Sequence, residues 1–104
     1  MSPALATGPR PAIPADVEAF AAEKGVRRYL DAIIDLARQA FPASALRVSL
    51  DRDAEEETHR YIALDVETAG LTADELLAGQ TVWSAGLGRV CPSRYAVYFV
   101  LGWR

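Results

Sequence analysis

The chain has 104 residues, 51% of them hydrophobic, with 11 Lys or Arg against 14 Asp or Glu and a single Cys, His and Met. That length allows one ordinary domain and excludes a second core, and a net charge of −3 is too small, and the apolar fraction too high, for a disordered chain. One cysteine excludes an internal disulfide and a Cys/His zinc cluster, and a pI near 5.0 provides no bulk attraction to phosphate backbones, so neither a metal, a cofactor nor nucleic acid is expected.

Residues 1–12 contain Pro3, Pro9 and Pro11 with little periodicity and are read as a flexible, Pro-rich arm preceding a domain over 13–104. The segment Met1 to Pro14 lacks the basic stretch and apolar run of a signal peptide, and the longest apolar run, Tyr95 to Trp103, is about half of a membrane-spanning helix. A soluble, cytoplasmic protein without membrane contact is therefore expected. From Pro14 the pattern turns helical, with Asp16 and Glu18 near the positive end, Val17, Phe20 and Ala21 on one face, and Gly25 as a stop or a bend. Val26 to Phe41 follows as an amphipathic helix. Its apolar arc holds Val26, Tyr29, Leu30, Ile33, Ile34, Leu36, Ala37, Ala40 and Phe41, while Arg27 with Asp31 and Asp35 with Arg38 pair on the wet face, and Pro42 ends it.

Leu46, Val48 and Leu50 alternate with Arg47, Ser49 and Asp51 as a strand with one wet face, and Tyr61 to Glu67 forms a second with Ile62, Leu64 and Val66 inward. The polar stretch Arg52 to Thr58 joins them as an antiparallel hairpin. Thr72 and Glu75 then spell a capping box that opens a helix carrying the stripe Leu76, Gln80, Trp83, Leu87. Gly79 and Gly86 lie together beside that stripe and mark a close backbone approach. Tyr95 to Trp103, aromatic and β-branched, is read as a third strand with two apolar faces.

The expected fold is thus α+β, one small α-β-β-α-β domain with a mainly antiparallel three-stranded sheet of order 2-1-3 and two helices on one face. That arrangement leaves Tyr61, Ala63, Tyr98 and Val100 on an open face too apolar for water.

Three places carry chemistry. The acidic turn with Asp51, Asp53, Glu55, Glu56 and Glu57 lacks the oxygen spacing and central glycine of a calcium loop, so it reads as a solvated hairpin tip. From Asp51 to Glu67 there are seven acidic against two basic residues, which makes the hairpin a natural complement to a basic protein such as a nuclease or toxin. His59 and Cys91 have the types of a base and a nucleophile, but a strand-end histidine and a buried cysteine explain them more simply. Gln80, Trp83 and Cys91 are the candidate lining of a small-molecule pocket.

From about Ile13 to Trp103 the chain resembles a group of short bacterial proteins with no assigned activity. The resemblance rests on Tyr29-Leu30, Phe41-Pro42, the acidic hairpin, Trp83, Cys91-Pro92 and the ending Leu101-Gly102; members often show Asp-Pro-Glu where this chain has Asp53-Ala54-Glu55. It implies a single small α+β domain and supplies no activity. The leading expectation is a non-enzymatic interaction module, a homodimer or the accessory partner of another protein, working through the C-terminal strand and the open sheet face. The alternatives are a ligand-binding or enzymatic domain at the Gln80/Trp83/Cys91 pocket, and an acidic neutralising partner of a basic protein.

Overall fold

A computed structural model describes residues 10–56 and 58–104. Its elements in chain order are α1 (Ala15–Glu23), α2 (Arg27–Ala40), β1 (Leu46–Arg52), β2 (Arg60–Val66), α3 (Ala73–Val90), the one-turn α4 (Ser93–Ala96) and β3 (Phe99–Trp103). The α+β class and the single core follow the sequence pattern, but the two-helix α-β-β-α-β count becomes four, because Gly25 separates the first helical stretch into α1 and α2 and a helical turn, α4, precedes β3.

Two helix ends have a clear local cause. Helix α1 closes in a Schellman arrangement, with Gly25 at φ 72°, its N–H donating to the Ala22 carbonyl (3.2 Å) and the Val26 N–H donating to that of Ala21 (2.9 Å). The Thr72 hydroxyl accepts from the Glu75 N–H (3.1 Å) while the Glu75 carboxylate accepts from the Thr72 N–H (2.9 Å), completing the capping box at the start of α3. A Cβ added at Gly79 would overlap the Phe41 ring and one at Gly86 would overlap the Leu36 side chain. The two glycines therefore let the backbone of α3 lie directly on α2, the most extensive helix–helix contact in the molecule.

The sheet corrects the expected topology. Its order is β1-β2-β3, so β2 rather than β1 is central, and β2 pairs antiparallel with β1 but parallel with β3. A central strand is covered on both sides by neighbours, and β2 has the side chains for it: Ile62, Ala63, Leu64 and Val66 are all buried. Strand β1 buries only Val48 and carries Arg47, Asp51 and Arg52, which suit an edge. Helix α3 then serves as the connection of a β-α-β unit and returns the chain alongside β2 in the same direction.

The expected strand from Tyr95 also starts late. Pro92 opens a helical turn in which the N–H groups of Tyr95 and Ala96 donate to the Pro92 carbonyl (2.9 and 3.2 Å) and that of Tyr98 donates to Tyr95 (3.1 Å). The turn sends both tyrosines onto helices, Tyr95 against Tyr29 (ring centroids 5.6 Å) and Tyr98 edge-on against Phe20 (5.9 Å). The core lies between the helices and the sheet face of Val48, Ile62, Leu64 and Phe99, with Leu30, Ile33 and Ile34 of α2 fully buried at its centre.

Of the arm expected over 1–12, residues 1–9 lie outside the described residues. Arg10 is tied down: its guanidinium donates to Asp35 and to Asp31 (3.0 Å) on the wet face of α2. The expected pairs Arg27–Asp31 (3.5 Å) and Arg38–Asp35 (3.8 Å) form as well.

Candidate functional site

Two consequences of the sheet order shape the surface. Alternation along the strands puts Arg47, Ser49 and Asp51 of β1, Tyr61, Ala63 and Asp65 of β2, and Val100 and Gly102 of β3 on the face away from the core. The residues expected there divide. Ala63, paired with Val100, is 5% exposed, Tyr61 is half-buried, and Val100 is 41% exposed. Tyr98, expected beside them, packs against Phe20 and the core instead, because the turn that precedes β3 rotates it off the strand alternation. Arg47, Asp51 and Asp65 border the small residues, and the Asp65 carboxylate occupies the space a side chain at Gly102 would need. This face is mixed in character rather than a broad apolar patch.

Apolar exposure is concentrated instead along the free edge of β3. Val97 (57% exposed), Val100 and Trp103 (47%) all lie in this segment, although the Trp103 ring also meets Phe41 (5.5 Å). The backbone of the same strand is half used. The Ile62 N–H donates to the Tyr98 carbonyl (2.7 Å) and the Arg104 N–H donates to the Val66 carbonyl (2.9 Å). In a parallel ladder alternate residues face the same neighbour, so Tyr98, Val100, Gly102 and Arg104 face β2, and Phe99, Leu101 and Trp103 direct their N–H and C=O groups outward. Among the described residues no strand pairs with that side. The end of the strand is fixed, since the Arg104 carbonyl accepts from both the N–H (3.0 Å) and the hydroxyl (2.6 Å) of Thr68.

Leu77, 66% exposed, is a separate exposed apolar side chain on α3. It sits roughly opposite Gly79 and Gly86 on a helical projection of α3, and those glycines face α2, so Leu77 points away from α2. Sequence reasoning missed Val97, Trp103 and Leu77. The signal for Leu77 was its position across the helix from the two glycines; nothing in the sequence distinguished Trp103 from a core residue.

The remaining candidates are placed as follows. Gln80 is exposed, Trp83 is 7% exposed within the core and Cys91 is fully buried, and none of the three lines the main surface clefts. The clearest apolar cleft is instead an open one of about 210 Å³ between α2 and α3, lined by Phe41, Pro42, Leu71, Ala78 and Val82 among others. Burial pushes the Cys91 thiol up, which keeps it protonated, and its Sγ donates to the Pro92 carbonyl (3.5 Å). His59 is exposed on the hairpin beside Tyr61. The two do not share an environment in which one would activate the other.

The hairpin carboxylates serve the turn. Asp53 accepts from the Glu55 N–H (2.8 Å) and Asp51 from the Arg52 N–H (2.8 Å), while Glu55 and Glu56 are exposed and the side chain of Glu57 lies outside the described residues. Burial first, then the charges of Asp51, Asp53 and Asp65, push the Tyr61 phenol up. Among the described residues no group of three His, Cys, Asp or Glu side chains is placed to hold a metal, and no helix is long and apolar enough to cross a membrane.

In comparisons with known proteins, no family model, no curated protein and no solved structure matches the chain.

Proposed function

We propose that this protein is a non-enzymatic interaction module that binds another polypeptide through β3 and the sheet surface beside it. The observation that supports this reading is the free edge of β3: five consecutive strand residues without charge or proline, outward backbone groups at Phe99, Leu101 and Trp103, and exposed Val97, Val100 and Trp103. Natural sheets blunt such edges with charges, prolines or a covering element, because unpaired N–H and C=O groups template the addition of a strand. An edge left bare while the opposite edge of the same sheet is charged is suited to strand addition, in which backbone bonds supply affinity and alternate side chains supply specificity.

The test compares binding by the native chain with binding by Val100→Glu, which places a charge on an exposed side chain outside the core. Partners captured from the native host by the native chain should be lost from Val100→Glu and kept by a control substitution, Gln39→Glu, on the exposed face of α2. Equal capture by all three, with unchanged thermal melts, would remove the β3 surface from consideration.

A further inference from the structure

We infer that the polypeptide that adds to β3 is a second copy of the same strand, antiparallel across a two-fold axis at Leu101, joining two three-stranded sheets into one of six strands. This inference rests on the reading of β3 as the binding edge and names its partner.

The first support is register. The outward groups belong to Phe99, Leu101 and Trp103, a set symmetric about Leu101. Antiparallel pairing of Leu101 with its own copy makes Leu101–Leu101 and both Phe99–Trp103 pairs hydrogen-bonded pairs, and every outward N–H and C=O of the two strands is used, about six bonds in all. Shifting the axis to Val100 or Gly102 leaves some of those groups without a partner inside the strand. The second support is shape. At this register Val100, the exposed side chain on the outer face, lies opposite Gly102 of the second copy, so it meets no side chain from the facing strand and packs beside the Asp65 carboxylate that fills the space over that glycine.

Charge argues against a charged foreign strand. At this register the two-fold sets Phe99 against Trp103 and Val100 against Gly102, so an uncharged edge brings no like charges together, whereas an edge built for a charged partner carries the opposite sign. Phe99 to Trp103 carries no charge. Area points the same way. A five-residue strand edge alone falls short of the roughly 800 Å² per partner that a specific interface buries. Val97, Val100 and Trp103, three of the five exposed large apolar side chains among the described residues, belong to this strand and the turn before it and extend the contact beyond the backbone edge.

Two measurements on the full chain test the inference. Sedimentation from about 1 μM to about 1 mM should show the native chain converting from its 11.3 kDa monomer to twice that mass, with self-association weakened roughly tenfold or more in Val100→Glu, whose carboxylate would face that of Asp65 over Gly102 of the second copy. In a sample mixed from labelled and unlabelled chains, an intermolecular proton contact should join the Hα of Val100 to Gly102, since these form the close, non-hydrogen-bonded pair at this register. A native chain that stays monomeric throughout overturns the inference, while continued loss of captured partners in Val100→Glu would preserve the broader reading of the edge. A dimer lacking the Val100–Gly102 contact also overturns it, and that measurement is made on the native chain, so misfolding of a variant leaves it decisive.

Discussion

The two edges of the sheet are built on opposite plans. Along β1, Arg47, Asp51 and Arg52 line the strand, and it continues into a turn whose carboxylates accept the chain's own N–H groups. Along β3 there is no charge, the aromatic and aliphatic side chains are partly exposed, and alternate backbone groups have no partner among the described residues. The charges of β1 carry a local cost: Arg52 stands directly opposite Arg60, and like charges facing each other across a strand pair destabilise it. An edge kept charged at such a cost is protected against association, and one left neutral is open to it.

The largest perturbation removes what both edges lean on. Leu64 is fully buried in the central strand, so Leu64→Ala is expected to cost about 2–5 kcal/mol in urea unfolding, and hydrogen exchange should show β1 and β3 losing protection together. Loss confined to one edge would mean that the strands are not one cooperative unit. Next comes the wall beside β3. Gly79→Ala places a methyl group into the Phe41 ring, itself boxed by Trp103, and is expected to destabilise by about 1–3 kcal/mol despite the better helix propensity of alanine. Gly88→Ala, which meets open space on the same helix, should instead stabilise by up to about 1 kcal/mol.

A smaller change sharpens the contrast at β1. Arg52→Glu turns the like-charge pair with Arg60 into an opposite-charge pair and should raise the unfolding free energy by about 0.2–1 kcal/mol without changing the solution mass. A change of mass on altering β1 would show that this edge also associates. The smallest effect lies far from either edge. Arg10 first, then Arg27, holds the Asp31 carboxyl below its usual range. A depressed folded-state value means that its contribution is complete above the ordinary carboxylate value of 3.8 and fades as pH falls below it. Because both groups are largely solvated, the effect should be a local release of Arg10 in acid, read by nuclear magnetic resonance of its guanidinium, with little change in global stability.

Much of the local structure was legible because it is written in short-range chemistry. The capping box at Thr72, the arc of α2, the hairpin alternation and the Gly79/Gly86 approach each depend on residues within a few turns of one another. The turn at Ser93–Ala96 was not legible, since Tyr95, Val97 and Tyr98 have strand propensities, and the turn that Pro92 opens is held by the contacts of Tyr95 with Tyr29 and of Tyr98 with Phe20. The candidate surface was legible in part. Val100 was identified as exposed and apolar, but Tyr98 was assigned to the same face by an alternation that begins only at Phe99.

The sequence by itself determined the α+β class, the single core and the position of nearly every helix and strand, because periodicity, caps and turns act through neighbours in the chain. Only the tertiary structure decided which strand is central and which edge is left open. Those choices depend on whether β3 gains more beside the doubly buried β2 or beside the charged β1, a comparison of packing between segments more than thirty residues apart that no local pattern encodes.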